Sequence, residues 1–567
     1  MNHSYSSVSP ATPPDTPTAA RSPSRGAELD SVIPPGKWTS QWHIVRLNIA
    51  IASLALFSSA NGYDGSLMNG IIALPSWNHF MDHPRGSWLG LINSMYSLGC
   101  IIAYPTAAWV SNKYGRKPGL YVGYTSMALG TALQTLARTH GAFIAARLFI
   151  GIASGFFLSV PLLIAENAYP TQRSIVSALY NCGWYAGSMV AAWIVFATRL
   201  VDSSWSWRTP SLLQILLPLC TLPGFIMIDE SPRWLVAQGR VDEARAILAK
   251  NHAGGDLTSP LVVFEMREIQ ANIHAESADG GAKWSDLWAT KGNRHRLWIT
   301  VTLGIFTQWV GNGVVSYYLS LVLETVGITS VTHQTLISAC LQMWNLFWAS
   351  LAAFNSDRLG RRMLFLVSGS VMLVSYSIIT GLSGSFASTG NKATGLAVIP
   401  CLFIYFFGYD ISLTPLLVSY PVEIWPYALR AMGLSVAFVV ALMCIFFNTF
   451  VNPVALESLG WKYYIVFVVF LVAMLITVYF TYPETRGHTL ETIAYIFDGD
   501  DAAPVSRAGD DCPAFRRRTH KAADTNNEND GPSPAAHSAS SDSECASPSS
   551  LDGMLPASST DRLTSAR

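Results

Sequence analysis

The feature that most limits the fold of this chain is the recurrence of long stretches without charge. Residues 119–133 and 463–480, for example, contain no Asp, Glu, Lys or Arg. Charged residues make up only 13% of the 567 residues, against roughly 25% in soluble domains. Because about 20 apolar residues in a helix cross the hydrocarbon core of a bilayer, the sequence predicts an all-α membrane protein that lies in a lipid bilayer.

Apolar windows of this length predict twelve membrane-spanning helices in two sets of six. The predicted spans are 45–70, 88–111, 119–137, 142–168, 174–198 and 210–228, then 297–323, 333–355, 363–384, 396–422, 430–453 and 461–481. The predicted domains are a disordered N-terminal segment (1–44), a first six-helix half (45–228), a polar linker (229–296), a second six-helix half (297–498) and a disordered tail (499–567). Apolar residues at helical spacing predict short amphipathic helices in the linker.

Charge predicts the orientation of the chain and excludes several function classes. Lys and Arg are concentrated after spans 2 and 8 and in the linker, so the positive-inside rule places the linker and both termini in the cytoplasm. The formal net charge is zero, which gives no electrostatic case for binding nucleic acid. The sequence has no phosphate-binding loop, no CxxC pair and no nucleophile motif, so we expect neither an enzyme nor a bound metal or cofactor.

Two pairs of motifs repeat between the halves. SNKYGRK follows span 2 and NSDRLGRR follows span 8, with 245 residues between Asn112 and Asp357. DESPRWL follows span 6 and YPETRGHTL follows span 12, with 254 residues between Glu230 and Glu484. Two similar offsets indicate a six-helix unit that occurs twice, which is the usual architecture of a secondary transporter.

These motifs, in this order, resemble those of the sugar porter family of the major facilitator superfamily. The resemblance covers roughly residues 45–498. It implies a fold of two six-helix halves with a sugar path between them, alternating access, and neither a cofactor nor an obligate protein partner.

The resemblance also implies a latch at the cytoplasmic ends of the helices, where arginines bond helix carbonyls and carboxylates. The matching residues are Arg116, Lys117, Glu166, Arg173, Glu230, Arg233, Asp357, Arg361, Arg362, Glu423, Arg430, Glu484 and Arg486. One departure is Asn112, where the family usually has Asp, so we expect a weaker latch in the first half. The alternative is that these positive charges only set the topology.

Asp64 lies near the end of the first apolar run, where a carboxylate costs roughly 2.5–3.5 kcal/mol on insertion scales. It matches the acid of the family's first span, and Arg147 matches the arginine of the fourth span. Burial disfavours the charged carboxylate, whereas a nearby guanidinium favours it. An arginine that moves away in one state would therefore let Asp64 bind a proton in that state. The alternative is a structural salt bridge.

The family's sugar-binding pattern in span 7 is matched in part by FTQWVGNGVVSYYLS. Gln308, Gly311, Tyr317 and Tyr318 are in place, whereas Thr307 replaces the first glutamine. Asn312 can bind sugar only if the helix is broken locally, which its flanking glycines permit. Such neutral hydrogen-bonding groups suit the hydroxyls of a sugar.

Three further polar residues extend the candidate site. The resemblance assigns Asn345 and Asn181 to sugar binding, and Asp410 either binds sugar, relays a proton or caps a broken helix. Many family members have a stacking tryptophan where this chain has Val418, for which Trp309, Trp184 or Tyr420 would substitute. For each polar residue the alternative is an interhelical hydrogen bond worth about 0.6 kcal/mol.

The departures TQWVGNGVVSYYL and ALYNCGWY resemble the fungal lactose-permease and cellodextrin-transporter branch. That branch implies a proton-coupled importer of a disaccharide, such as lactose or cellobiose, in the plasma membrane. Two alternatives stay open: a sugar sensor that signals through its tails, and a hexose facilitator without proton coupling.

Overall fold

The computed structural model describes residues 32–33, 38–278, 283–486 and 490–498, and every regular element in these ranges is helical. The first group of α-helices is α1 Trp42–Ile71, α2 Pro75–Phe80, α3 Gly86–Tyr114, α4 Arg116–Thr135, α5 His140–Phe156, α6 Ser159–Asn167, α7 Arg173–Thr198, α8 Trp205–Leu213 and α9 Leu216–Met227. The central segment forms α10 Pro232–Ala237, α11 Val241–His252 and α12 Pro260–Ala278. The last group is α13 Lys291–Trp309, α14 Asn312–Thr325, α15 Val331–Leu359, α16 Arg361–Thr389, α17 Lys392–Leu396, α18 Val398–Asp410, α19 Leu413–Ile424, α20 Tyr427–Leu459, α21 Tyr464–Thr481 and α22 Leu490–Asp498. Short 3-10 helices occupy Trp38–Ser40, Trp284–Trp288 and Gly460–Tyr463.

Each of the twelve predicted spans falls on helical residues. By length and composition, seven helical stretches of the described residues are apolar enough to cross a membrane. Some of these stretches contain more than one helix; Leu429–Thr481, for instance, includes both α20 and α21. The count of twelve spans, their division into two halves and the predicted domain boundaries therefore stay predictions.

Several long helices are broken near their middle. Breaks separate α5 from α6, α13 from α14 and α18 from α19. At the second break Gly311 has φ +108°, and the ring of Tyr376 lies where a β-carbon would be. Glycine is the residue that adopts this backbone without steric cost. The breaks place polar residues at helix ends in the middle of the bundle, where Asn312 begins α14 and Asp410 ends α18.

The first and last groups of helices each form an apolar core. One core joins residues of α13–α16 and α18–α21, and a second joins residues of α1, α4–α6 and α9. The two groups meet where α3 packs on α20, α7 on α15 and α1 on α14. A small separate core holds α10, α11 and α12 together, with Leu235, Leu248 and Met266 buried in it. The helices predicted in this central segment are therefore present.

Candidate functional site

A cavity of about 340 Å³ lies between α1, α3 and α7 on one side and α13–α15 and α18–α20 on the other. Its volume falls within the range of small-molecule sites, which is roughly 300–1,000 Å³. Neutral side chains and aromatic rings form most of its wall, including Ser66, Trp184, Tyr185, Gln308, Asn312, Tyr317, Gln342, Asn345, Phe406, Tyr409 and Thr414.

The break between α13 and α14 positions two of the amides. Gln308 precedes the break and Asn312 follows it, so both side chains reach the cavity. The break meets the condition that the sequence set for Asn312. The Asn312 Oδ1 atom has no hydrogen-bond partner among the described residues, which leaves it able to accept a bond from a ligand.

Backbone carbonyls that the break frees from helical bonding are bonded by side chains of neighbouring helices. Tyr409 donates to the Thr307 carbonyl at 2.8 Å, and Tyr405 donates to the Val310 carbonyl at 3.1 Å. The amide of Asn448 donates to the Gln308 carbonyl at 2.6 Å. These bonds satisfy buried acceptors that would otherwise be costly and hold the broken segment in place.

A second set of polar groups surrounds Asp410, which is completely buried. Tyr185 donates its hydroxyl to Asp410 Oδ1 at 2.6 Å, and Thr414 donates to the same oxygen at 3.2 Å. When the amide of Asn345 is assigned from its hydrogen-bond partners, its nitrogen donates to Asp410 Oδ2 at 3.3 Å and to the Leu341 carbonyl at 3.1 Å. Asn345, Tyr185 and Thr414 line the cavity, and Asp410 lies behind them.

Some of the aromatic residues named from the sequence line the cavity and others pack elsewhere. Trp184 and Tyr317 line it, whereas Trp309 packs against Phe447 and Phe470 with ring centroids 5.2 and 5.4 Å apart. Tyr318 is fully buried and donates its hydroxyl to the Thr449 carbonyl.

Two further residues expected at the site are Tyr420 and Asn181. Tyr420 stacks on Tyr482 rather than on the cavity, and the side chain of Asn181 lies outside the described part of the structure.

Sequence reasoning missed Gln342, which lines the cavity one helical turn before Asn345. Residues three apart share a face of a helix, so this spacing was a usable signal. Tyr185 and Tyr409 carried no comparable signal, because tyrosines are common throughout these apolar helices.

A smaller cavity of about 150 Å³ adjoins the first and shares Tyr104, Trp184 and Tyr317 with it. Arg147 lines this cavity, with its guanidinium carbon 5.0 Å from the centre of the Tyr96 ring. Asn61, Asn93 and Ser154 also line it.

Asp64 and Arg147 are both buried, with 1% and 2% of their surfaces exposed, and their charges attract one another. Asp64 Oδ1 and Arg147 Nε and Nη1 have no hydrogen-bond partner among the described residues. A buried charge without a hydrogen bond is costly, so both groups are available to bind a proton, water or ligand.

At the far end of the helices, which we call the charged end, two arginines pair with glutamates. Arg116 bonds Glu166 through Nε at 3.1 Å and Nη2 at 3.0 Å. Arg361 bonds Glu423 through the same two nitrogens, at 3.1 and 2.9 Å. Each bond joins the first residue of one helix to the end of another, α4 to α6 and α16 to α19.

Two other glutamates cap the starts of these same helices. Glu230 accepts from the backbone N–H groups of Arg116 at 2.9 Å and Lys117 at 3.1 Å. Glu484 accepts from those of Arg361 at 2.8 Å and Arg362 at 3.1 Å. The first N–H groups of a helix lack partners within it and carry partial positive charge, so a carboxylate stabilises them.

The remaining residues of the expected latch are placed as follows. Lys117 donates to the Ile228 carbonyl, Arg362 to the Tyr479 carbonyl, and the backbone of Arg486 to Glu484. Arg173 begins α7, Arg430 lies in the first turn of α20 and Arg233 lies in α10. The side chain of Asp357 lies outside the described residues.

Solved structures with this fold include an inward-open form of the E. coli xylose transporter XylE. It has a TM-score of 0.65 at 22% identity and covers 80% of this chain and 100% of that one. The chain therefore has the all-helical fold of major facilitator superfamily transporters.

Curated relatives match most of the chain at low identity. The Aspergillus oryzae MFS-type transporter oryC is 27% identical, over 86% of this chain and 90% of that protein. The Saccharomyces cerevisiae sugar transporter STL1 is 28% identical, over 81% and 83%. The Candida albicans high-affinity glucose transporter 1 is 26% identical, over 77% and 83%. The family model described as "Sugar (and other) transporter" matches residues 50–497, and the chain belongs to this family of membrane transporters.

Proposed function

We propose that the protein is a proton-coupled sugar importer of the plasma membrane, with both termini in the cytoplasm. Its cargo is a disaccharide such as lactose or cellobiose. The observation that carries this proposal is the 340 Å³ cavity lined by neutral amides and aromatic rings, next to a buried carboxylate and guanidinium.

The chemistry of the cavity suits a sugar. An amide offers both donors and acceptors, and Gln308, Asn312, Gln342 and Asn345 supply four amides around one space. A sugar also presents an apolar face, for which Trp184 provides a partner. The adjoining 150 Å³ cavity extends the space toward Arg147, which favours a cargo with a second ring.

The named relatives favour a sugar cargo and support a second candidate. The Candida albicans relative is a glucose transporter, and XylE is named a proton:xylose symporter. A hexose is therefore the second candidate cargo. The second candidate function is a facilitator that transports glucose without a proton.

Proton coupling rests on Asp64 and Arg147. Burial favours the neutral, protonated form of Asp64, whereas a close guanidinium favours the charged form, so Asp64 holds a proton more tightly when Arg147 moves or turns to the sugar. A buried acid whose partner depends on conformation binds a proton in one state and releases it in the other. One oxygen of Asp64 and two nitrogens of Arg147 lack hydrogen-bond partners among the described residues, which supports a pair that can separate.

Alternating access requires contacts that form at one end of the path and open at the other. Away from the charged end, Asn69 accepts from the backbone N–H of Leu319 at 2.9 Å and joins α1 to α14. The pairs Arg116–Glu166 and Arg361–Glu423, by contrast, each lie within one group of helices. Each group can therefore move as a unit while its own bonds persist.

The test is uptake of labelled lactose, cellobiose and glucose in yeast without its own sugar transporters, with external pH recorded in weakly buffered medium. The Asp64→Asn variant is compared with Asp202→Asn, which changes an exposed carboxylate. We expect disaccharide uptake with matching alkalinisation, reduced at least tenfold in Asp64→Asn and unchanged in Asp202→Asn.

Other outcomes of this test separate the candidates. Glucose uptake without a pH change, and with an active Asp64→Asn variant, would identify a facilitator. No uptake by protein at the cell surface, together with a cellular response to sugar, would identify a sensor.

A further inference from the structure

We propose that Asp410 is a positioning residue that makes one wall of the central cavity a hydrogen-bond acceptor surface for sugar hydroxyls. This inference rests on the proposed function and specifies how one part of the site selects its cargo. It replaces the three roles that the sequence left open for Asp410.

The geometry separates Asp410 from the ligand space. Asp410 is fully buried, and its two oxygens accept from Tyr185, Thr414 and Asn345. These three donors line the cavity. Asp410 therefore acts on a bound molecule through them.

In its ionised form, Asp410 has acceptors and no hydrogens, and in that form it determines where its neighbours point their hydrogens. The hydroxyl hydrogen of Tyr185 is directed to Asp410 Oδ1, and that of Thr414 to the same oxygen or to the Tyr185 oxygen 3.1 Å away, so neither hydrogen faces the cavity. Both amide hydrogens of Asn345 are used, one by Asp410 Oδ2 and one by the Leu341 carbonyl. The atoms that remain for a ligand are the lone pairs of two hydroxyls and the carbonyl oxygen of Asn345.

The wall therefore selects groups that donate a hydrogen. A sugar hydroxyl satisfies it, whereas a hydrogen or a fluorine at the same carbon does not, since neither donates. An amide at position 410 would change this selection. Its nitrogen donates where Asp410 accepts, so Asn345 or the Tyr185 and Thr414 hydroxyls must turn to accept from it, and a hydrogen is then released toward the cavity.

The test uses competition for uptake by deoxy and deoxyfluoro analogues of the transported sugar. In the natural protein we expect at least one ring position where both analogues compete at least tenfold more weakly than the sugar. In Asp410→Asn we expect this penalty to fall below threefold, with a higher KM for the sugar and a maximal rate within twofold. A purely structural role would lower the amount of active protein without changing the analogue profile.

Two more variants complete the experiment. Asp202→Asn alters an exposed carboxylate and should keep the natural profile. Tyr185→Phe removes one donor to Asp410. It should raise KM severalfold and reduce the analogue penalty at the same ring position. If Asp410→Asn does not reach the cell surface, this variant serves as the test of the inference.

If the analogue profile is unchanged in Asp410→Asn, the inference is overturned. If Asp410→Asn does not fold, an unchanged profile in Tyr185→Phe overturns it instead. In both cases sugar uptake by the natural protein still supports the proposed function. The lack of any position with a tenfold penalty in the natural protein also overturns the inference. If the natural protein takes up no sugar, the proposed function and the inference both fail.

Discussion

Two tryptophans show how single side chains divide between binding and packing. Trp184 lines both cavities, whereas Trp309 lies against the rings of Phe447 and Phe470. Both are apolar, and both lie in predicted spans, so the sequence alone does not separate them.

The matched variants Trp184→Phe and Trp309→Phe test this division. Because the smaller ring offers less surface to a sugar face, we expect Trp184→Phe to raise KM about fivefold, equivalent to about 1 kcal/mol. Trp309→Phe should leave KM within twofold. Concentration-dependent uptake at equal surface expression measures both, and the reverse pattern would show that the cavity assignment is wrong.

Gln308, Asn312 and Asn345, which the motif spacing named one by one as sugar ligands, line one cavity. The motif did not place Tyr317 there in preference to Tyr318. Adjacent residues on a helix point about 100° apart. The break at Gly311 and the kink at Tyr318 change the direction in which the two tyrosine side chains point. A motif that matches two adjacent tyrosines therefore does not tell which of them faces the cavity, whereas the helix geometry does.

At the scale of the helix, the same capping device occurs twice. Glu230 holds the first two N–H groups of α4, and Glu484 holds those of α16. In each case a glycine with positive φ, Gly115 or Gly360, precedes the capped helix. The repeated motifs of the sequence thus correspond to one repeated set of bonds.

Removing one cap carboxylate should destabilise the protein. Glu484→Gln keeps the shape and loses the charge, so we expect a loss of about 1 kcal/mol and a lower melting temperature at pH 7. The exposed Glu324→Gln variant serves as the control and should melt as the natural protein does. A fluorescence-detected thermal melt in detergent measures each, and equal melting of all three would refute the capping role.

The pH dependence of that difference follows from the Glu484 carboxyl. Burial acts to raise its pKa, but the backbone N–H groups of Arg486, Arg361, Arg362 and Thr485 outweigh it and hold the pKa below the ordinary value of 4.5. A pKa lowered by folding stabilises the protein above the unfolded value, and this contribution is lost as the pH falls through the folded value. The difference in melting temperature between the natural protein and Glu484→Gln should therefore have its full size at pH 6 and become smaller below about pH 4.

The break in α13–α14 gives a second prediction for this scale. Gly311→Ala places a β-carbon against the ring of Tyr376 at φ +108°, and we expect a loss of roughly 1–3 kcal/mol. Gly381→Ala lies inside α16 with nothing within 4 Å, so it should be neutral or stabilising by up to about 1 kcal/mol. Thermal melts of the two variants check this, and a stable Gly311→Ala protein would mean that the break does not depend on glycine.

At the scale of the whole molecule, α3 and α20 are in backbone contact at Gly90, where a β-carbon would meet the Phe450 carbonyl. Alternating access as proposed would separate α3 and α20 at this contact when the end away from the charged end opens. Any added atom there disfavours the contact relative to a conformation in which α3 and α20 separate.

The variant Gly90→Ala should therefore transport at least tenfold more slowly and expose the central path from the outside. Cys100 lines the smaller cavity, so we expect it to react faster with an externally added, membrane-impermeant maleimide. Gly141→Ala has nothing within 4 Å and is the control. Labelling is measured by mass spectrometry, and unaltered rates in Gly90→Ala would show that this contact does not control access.

The sequence by itself determined the class of protein, the helical segments and the residues that repeat between the two groups of helices. Those properties depend on local composition and spacing, because a charge-free apolar stretch has few alternatives to a helix in a membrane. Only the tertiary structure decided which polar residues share a cavity. That property depends on where helices break and how they pack, so Gln342 and Trp184 joined the site and Asp410 took its place behind it.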